Sequence, residues 1–341
     1  MLEHFYLWGE FVSLASVVVL AGTVLTRYAD AISEKLQLGR VFIGMMFLGF
    51  VTSLPELVIT LSSLVEVEQP DMGVGNIYGS CLFNLFMICL VDWLFMRGKV
   101  FVKTQKGEAV CGLMSIVLVA VSLAGLTLGG RFGVSHPRFF DPLSINFGIT
   151  SFLILVVYGV ASWVLYRAER MPKQEQTAPP DRSGLWRLLV WSGVAALAIV
   201  LAGALLTRTC DRIATTYKLG HSFVGTAFLA AISSMPELVC TFAAARLGSV
   251  GLAFGNIFGS NLFNIAILAI TDAAWRKGLI FAHKTGDEHM VVGLCVVIVT
   301  AIYLVAGQMD YRARRRVGWV TGVAGVLYVG GLAAAFFLSR L

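Results

Sequence analysis

Apolar positions in this chain follow neither the alternation of a half-buried strand nor the single stripe of a surface helix. They run on in blocks of about 20 residues or more, the length an α-helix needs to cross the hydrocarbon of a bilayer. Ten such blocks stand at roughly 7–26, 38–64, 72–95, 108–129, 143–166, 187–206, 219–246, 250–275, 287–307 and 317–338. The pattern predicts an all-α polytopic membrane protein with ten transmembrane helices and leaves no stretch for a soluble domain. One polar, Pro-bearing interruption, 167–187, reads as a linker. It divides the chain into 1–166 and 188–341, with five blocks in each.

The two parts repeat. Residues 20–60 align without a gap on 201–241 at an offset of 181. Leu20-Ala21-Gly22 meets Leu201-Ala202-Gly203, Thr26-Arg27 meets Thr207-Arg208, and Asp30 meets Asp211. Ser53-Leu54-Pro55-Glu56-Leu57-Val58 meets Ser234-Met235-Pro236-Glu237-Leu238-Val239. At an offset of 180, Gly-Asn-Ile-Tyr-Gly-Ser-Cys-Leu-Phe-Asn-Leu (75–85) meets Gly-Asn-Ile-Phe-Gly-Ser-Asn-Leu-Phe-Asn-Ile (255–265), identical at 8 of 11 positions, and Asp92 meets Asp272 beyond them. An odd number of spans turns the second copy over in the membrane. The expected architecture is therefore two inverted five-helix repeats with a site at the midplane between them.

Composition agrees. Of 341 residues 57% are hydrophobic and 13% charged, about half the charged share of a soluble domain, and mean hydropathy is +0.81. The first block follows Met1-Leu2-Glu3-His4-Phe5-Tyr6, without the basic start of a cleaved signal peptide, so it is expected to remain as a span. The six cysteines (Cys81, Cys89, Cys111, Cys210, Cys240, Cys295) show no Cys-x-x-Cys spacing, which points to packing rather than a metal cluster or disulfide framework. A net charge of +6 requires no nucleic acid, because membrane proteins gather Lys and Arg in cytoplasmic loops. With the N-terminus outside, the first half puts 12 basic residues inside against two outside, and the second half five against seven. The orientation rests on the first half and makes the 167–187 linker cytoplasmic, in a bacterial or archaeal inner membrane.

Two acidic residues fall deep inside apolar blocks. Glu56 lies about 18 residues into its span and Glu237 does the same. A charge at that depth costs at least about 2.5–3.5 kcal/mol on insertion scales and usually marks an ion or substrate path. A neutral, hydrogen-bonded carboxyl kept for packing is the plainer alternative, and two symmetric copies weigh against it. Thr52 and Ser53 share the helix face of Glu56, as Ser233 and Ser234 share that of Glu237. Pro55 and Pro236 cannot donate to the carbonyls of Val51 and Ile232, and a freed carbonyl at membrane depth is tolerated where it lines a cavity. Ser80 and Asn84 add a hydroxyl and an amide on one face of the next helix, as do Ser260 and Asn264. Such oxygens suit a hard cation, calcium or sodium rather than zinc or copper. Gly75, Gly79, Gly255 and Gly259 have the small-xxx-small spacing of close helix approach. Asn76 and Asn256 either touch an ion or bond across helices.

These motifs resemble the α-repeats of the calcium/cation antiporter superfamily, specifically the sodium/calcium exchangers. That pattern is close to Gly-Thr-Ser-x-Pro-Glu followed by Gly-Asn-x-x-Gly-Ser-Asn-x-x-Asn/Asp, each present twice. The resemblance implies Glu56 and Glu237 as central calcium ligands with the carbonyls of Thr52 and Ser233. It implies Ser53, Ser234, Ser80 and Ser260 as residues that help hold sodium, and Asn84 and Asn264 as the remaining polar positions. Val51 and Ile232 replace the usual glycine, Ser233 the second threonine, and Cys81 the first asparagine after Gly-Ser. Asn264 stands where potassium-dependent members carry aspartate, so the resemblance is to a potassium-independent exchanger.

The expectation is a secondary active antiporter exchanging Ca2+ for Na+ by alternating access, with the first and sixth spans moving to expose the site. It is not expected to be an enzyme. Its partners are the transported Ca2+ and Na+ and the lipid bilayer, with no cofactor, no nucleic acid and no obligate protein partner. A proton-coupled divalent-cation antiporter is the alternative. A cation channel is a further one, since acidic residues can line a pore. An intramembrane enzyme is disfavoured, because none of the five histidines pairs by motif with a nucleophile or metal ligand.

Overall fold

The computed structural model describes residues 2–66, 68–96, 106–132, 138–140, 145–170, 184–216, 231–308 and 318–338. The helices are α1 (Leu2–Leu36), α2 (Arg40–Thr52), α3 (Leu54–Val65), α4 (Pro70–Val91), α5 (Lys106–Leu126), α6 (Ile149–Glu169), α7 (Leu185–Thr216), α8 (Met235–Arg246), α9 (Val250–Asp272), α10 (Asp287–Gln308) and α11 (Trp319–Leu338). Among the described residues eight helices are long and apolar enough to cross a membrane, and α2 with α3, bent by 43° at their break, adds a ninth if the pair is counted as one span. The expected seventh span, 219–246, is described only from residue 231, and most of the linker also lies outside the described residues. One expectation shifts: the fifth block, 143–166, starts as a strand, β2 (Ile145–Gly148), paired antiparallel with β1 (Arg138–Phe140) just ahead of it. Gly148 is extended, at φ −86° and ψ 165°, a conformation that keeps the helix from starting before Ile149.

The apolar rows sort into two environments. The most apolar stretch of α9 is 94% buried, with α2, α4, α5 and α6 packed around it. Glycines allow the closest of these contacts. A Cβ on Gly44 would stand 2.6 Å from the Leu252 carbonyl oxygen, and one on Gly49 would stand 2.7 Å from the Ser260 nitrogen. The backbones of α2 and α9 therefore touch, as small residues permit in membranes. Around this centre α1 lies along α7. Both expose rows of large apolar side chains, among them Val12 and Leu20 on α1 and Val194 and Leu197 on α7. Exposed Trp8, Trp163, Trp186 and Trp319 stand near helix ends, where tryptophan anchors at the headgroup level. These surfaces make the chain an integral membrane protein.

Two buried aspartates tie the halves together. Asp272, at the end of α9, accepts from Ser151 Oγ at 2.5 Å, from the Gly148 amide at 3.3 Å and from the Ile280 amide at 2.6 Å. Asp92 accepts from Thr321 Oγ1 at 2.5 Å. Ser151 and Thr321 are each the third residue of their helix, so each aspartate grips the start of the last helix of the other half.

Candidate functional site

The local geometry begins with the two prolines. Ser53 (φ −88°, ψ 6°) and Ser234 (φ −87°, ψ 14°) leave the helical conformation in the same way, two residues ahead of a proline that has no N–H to give. Helix resumes when Leu57 N bonds Ser53 O at 3.2 Å and Leu238 N bonds Ser234 O at 3.1 Å. Glu56 and Glu237 thus sit in the first turn of α3 and α8, where the helix dipole favours negative charge.

All ten sequence-derived positions are buried, none more than 1% exposed: Thr52, Ser53, Glu56, Ser80, Asn84, Ser233, Ser234, Glu237, Ser260 and Asn264. The breaks bring the serines of each half to the glutamate of the other reciprocally. Ser53 Oγ donates to Glu237 Oε1 at 2.9 Å, and Ser234 Oγ donates to Glu56 Oε1 at 3.0 Å. Ser80 Oγ reaches Glu56 Oε1 at 3.5 Å. Ser233 lies beside Glu56 and Thr52 beside Glu237. Thr52 Oγ1 also donates to Leu48 O at 2.9 Å and stands 3.3 Å from Ser260 Oγ. Ser260 itself donates to Gly49 O at 3.4 Å, so its bonds run to α2. Asn84 Nδ2 donates to Asn261 Oδ1 at 3.0 Å.

What is left over defines the chemistry. Glu56 Oε2, Glu237 Oε2, Asn84 Oδ1 and both amide atoms of Asn264 are buried without a hydrogen-bond partner. Among the described residues, the groups acting on the two carboxylates are hydroxyls, backbone amides and, for Glu237, the other glutamate, with no Lys or Arg among them. Two buried carboxylates with no basic partner are strongly unfavourable unless something positive is supplied. The donor set is oxygen throughout, which suits hard cations.

Sequence reasoning left several supporting residues out of the site. Asn256 Nδ2 bonds the Glu237 carbonyl at 3.1 Å and Thr241 Oγ1 at 2.9 Å, while Asn76 Nδ2 bonds Thr60 Oγ1 at 3.3 Å. Both asparagines therefore bond across helices. Thr60 and Thr241 are related by the same offset of 181 as the glutamates, the signal that could have found them. Asn261, holding Asn84, stands opposite Cys81 in the repeat register. Gly255 and Gly259 pack on the α2 backbone as their spacing suggests, whereas Gly75 packs on the His289 ring. Five of the cysteines are buried and Cys295 half-buried, all as free thiols.

Comparison with known proteins bears on the family and the fold. The profile of the family described as "Sodium/calcium exchanger protein" matches residues 6–171 and 187–337. The inner membrane protein YrbG of Escherichia coli is 25% identical over 96% of this chain and 98% of its own length. The sodium/calcium exchanger MaX1 of Methanosarcina acetivorans is 23% identical over 92% of this chain and 93% of its own. The putative antiporter CaxA of Alkalimonas amylolytica is 26% identical over 91% and 94%. Among solved structures, the sodium-calcium exchanger NCX_Mj soaked with 10 mM Na+ superposes with a TM-score of 0.72 at 18% identity, covering 96% of this chain and 98% of that one. This last likeness concerns the fold.

Proposed function

The chain belongs to the sodium/calcium exchanger family, and on that premise we propose that it exchanges Ca2+ for Na+ across the membrane by alternating access. It is a membrane transporter and not an enzyme. The observation that carries the reading is the pair Glu56 and Glu237, each held by the serine of the other half's helix break and each keeping one oxygen unpartnered.

In this reading the two carboxylates supply a charge of −2, which one divalent cation neutralises, or two to three sodium ions in turn with the surrounding oxygens. The Thr52 and Ser233 carbonyls join the glutamates around calcium, while Ser53, Ser234, Ser80, Ser260, Asn84 and Asn264 complete the polar ring that sodium uses. An empty −2 site is costly in hydrocarbon, so only the loaded centre crosses between states, and flux of one ion requires flux of the other. The movement is assigned to α1 and α7, the first span of each of two inverted five-helix repeats (1–166 and 188–341, joined by a cytoplasmic linker), sliding over the remaining helices.

The test is Ca2+ flux in proteoliposomes. An imposed Na+ gradient is expected to drive uptake against the Ca2+ gradient. Uptake driven only by a pH gradient, with sodium absent, would reassign the coupling to protons. Uptake that needs no counter-ion gradient would make the protein a channel.

A further inference from the structure

The two copies of the second motif differ at one polar position, Asn261 in one and Cys81 in the other. These residues face each other between α4 and α9. Asn261 Nδ2 donates to the Cys81 carbonyl at 3.2 Å, and the Cys81 thiol returns a long contact to the Asn261 carbonyl at 3.9 Å. Asn261 does one thing more. Its Oδ1 accepts from Asn84 Nδ2 at 3.0 Å, which pins the Asn84 amide by its nitrogen and leaves Asn84 Oδ1 buried and unpartnered. On the opposite side the Cys81 thiol has the Asn264 amide as a side-chain hydrogen-bond partner, but a thiol sulfur is a weak acceptor. Beyond that weak contact both amide atoms of Asn264 are without a hydrogen-bond partner, in a residue that is wholly buried. A buried amide held by so little is rare in folded proteins, and its terminal torsion has no strong intrinsic preference to hold it.

We propose that Cys81 is a positioning residue for the cation centre: it withholds the amide oxygen that Asn261 supplies on the other side, so Asn84 presents a fixed oxygen while Asn264 turns its oxygen inward only when a cation arrives. The inference rests on the reading of this centre as the cation site. It makes the ring half preorganised and half adaptive. Preorganised donors bind more tightly because less is lost in ordering them. An adaptive donor lets one ring serve ions that differ in size and number.

Four purified proteins test this: wild type, C81N, N261C and the exchanged double variant C81N/N261C. Thermal unfolding in chelated, sodium-free buffer reads the brace alone. C81N is expected to raise Tm by about 2–4 °C, N261C to lower it by about as much, and the double variant to fall between them. The second readout is stabilisation by Ca2+ and by Na+, titrated separately. C81N is expected to lower the half-saturating concentration by about threefold or more, N261C to raise it by about threefold or more, and the exchange to return it to within about twofold of wild type. A residue that only packs gives no such reversal in the double variant. If C81N fails to fold, N261C still carries both readouts. Unchanged Tm in the single variants overturns the brace, and changed Tm with unchanged half-saturation overturns its link to the cation centre. A wild type stabilised by no cation overturns both the cation-site reading and the positioning role, while the brace itself still registers in cation-free buffer.

Discussion

The Ser53 hydroxyl donates to the Glu237 carboxylate at 2.9 Å, across 184 positions of sequence. Ser234 returns the relation to Glu56 at 3.0 Å. Each glutamate is therefore oriented by the helix break of the other half, and neither half holds a complete site. A hydrogen bond to a buried charge contributes about 1.5–3 kcal/mol. S53A and S234A are each expected to raise the half-saturating Ca2+ concentration by about tenfold or more, and by similar factors, because their bonds are reciprocal. Titration of Ca2+-dependent flux checks both. A large effect in one variant and none in the other would contradict the pairing.

The glutamates themselves carry the charge. E56Q and E237Q preserve shape and remove one negative charge each. Both are expected to abolish Na+-driven Ca2+ uptake while the proteins still reconstitute and run as a single species on gel filtration. Wild-type uptake by either variant in sodium-loaded vesicles would sink the assignment.

Close packing of α2 on α9 should be intolerant of one added carbon. A Cβ at Gly44 or Gly49 would meet backbone atoms at 2.6 Å and 2.7 Å, and backbone cannot rotate out of the way as a side chain can. G44A and G49A are each expected to cost about 1–3 kcal/mol, as overpacking does. G325A, where a Cβ meets nothing within 4 Å, should be neutral or stabilise by up to about 1 kcal/mol. Thermal unfolding in detergent separates the three.

Asp272 is expected to matter for stability and not for ion choice. D272N leaves a weaker acceptor facing two backbone amides and the Ser151 hydroxyl, and a hydrogen bond to a buried charged group is worth about 1.5–3 kcal/mol. Tm should fall steeply, while the protein that remains folded keeps its Ca2+ half-saturation within about twofold. The exposed pair Lys277–Glu68 provides the contrast. K277A should shift stability by less than about 1 kcal/mol.

Much of this was legible without coordinates. Apolar blocks marked the spans because a bilayer demands a fixed helix length. The offsets of 181 and 180 singled out Glu56, Glu237 and their hydroxyl and amide neighbours, all of which the fold buries. Three features were not legible. The strand at 145–148 reads as the start of an apolar span, because strand and helix starts look alike in a short apolar run. Asn261 reads as a motif companion, yet it orients Asn84. The roles of Asp92 and Asp272 depend on Thr321 and Ser151, more than 100 positions away.

By itself the sequence determined that the chain lives in a membrane and that it carries two copies of one polar motif at membrane depth. Composition, span length and register are properties of the linear chain, and they suffice for that. Only the tertiary structure decided which copy serves which. The serine of each break reaches the glutamate of the other half, Asn261 holds Asn84, and Cys81 meets Asn264 with no more than a thiol. Those pairings are fixed by how α3, α4, α8 and α9 cross, and hydrogen-bond geometry at about 3 Å is a fact of helix packing that spacing along one helix cannot specify.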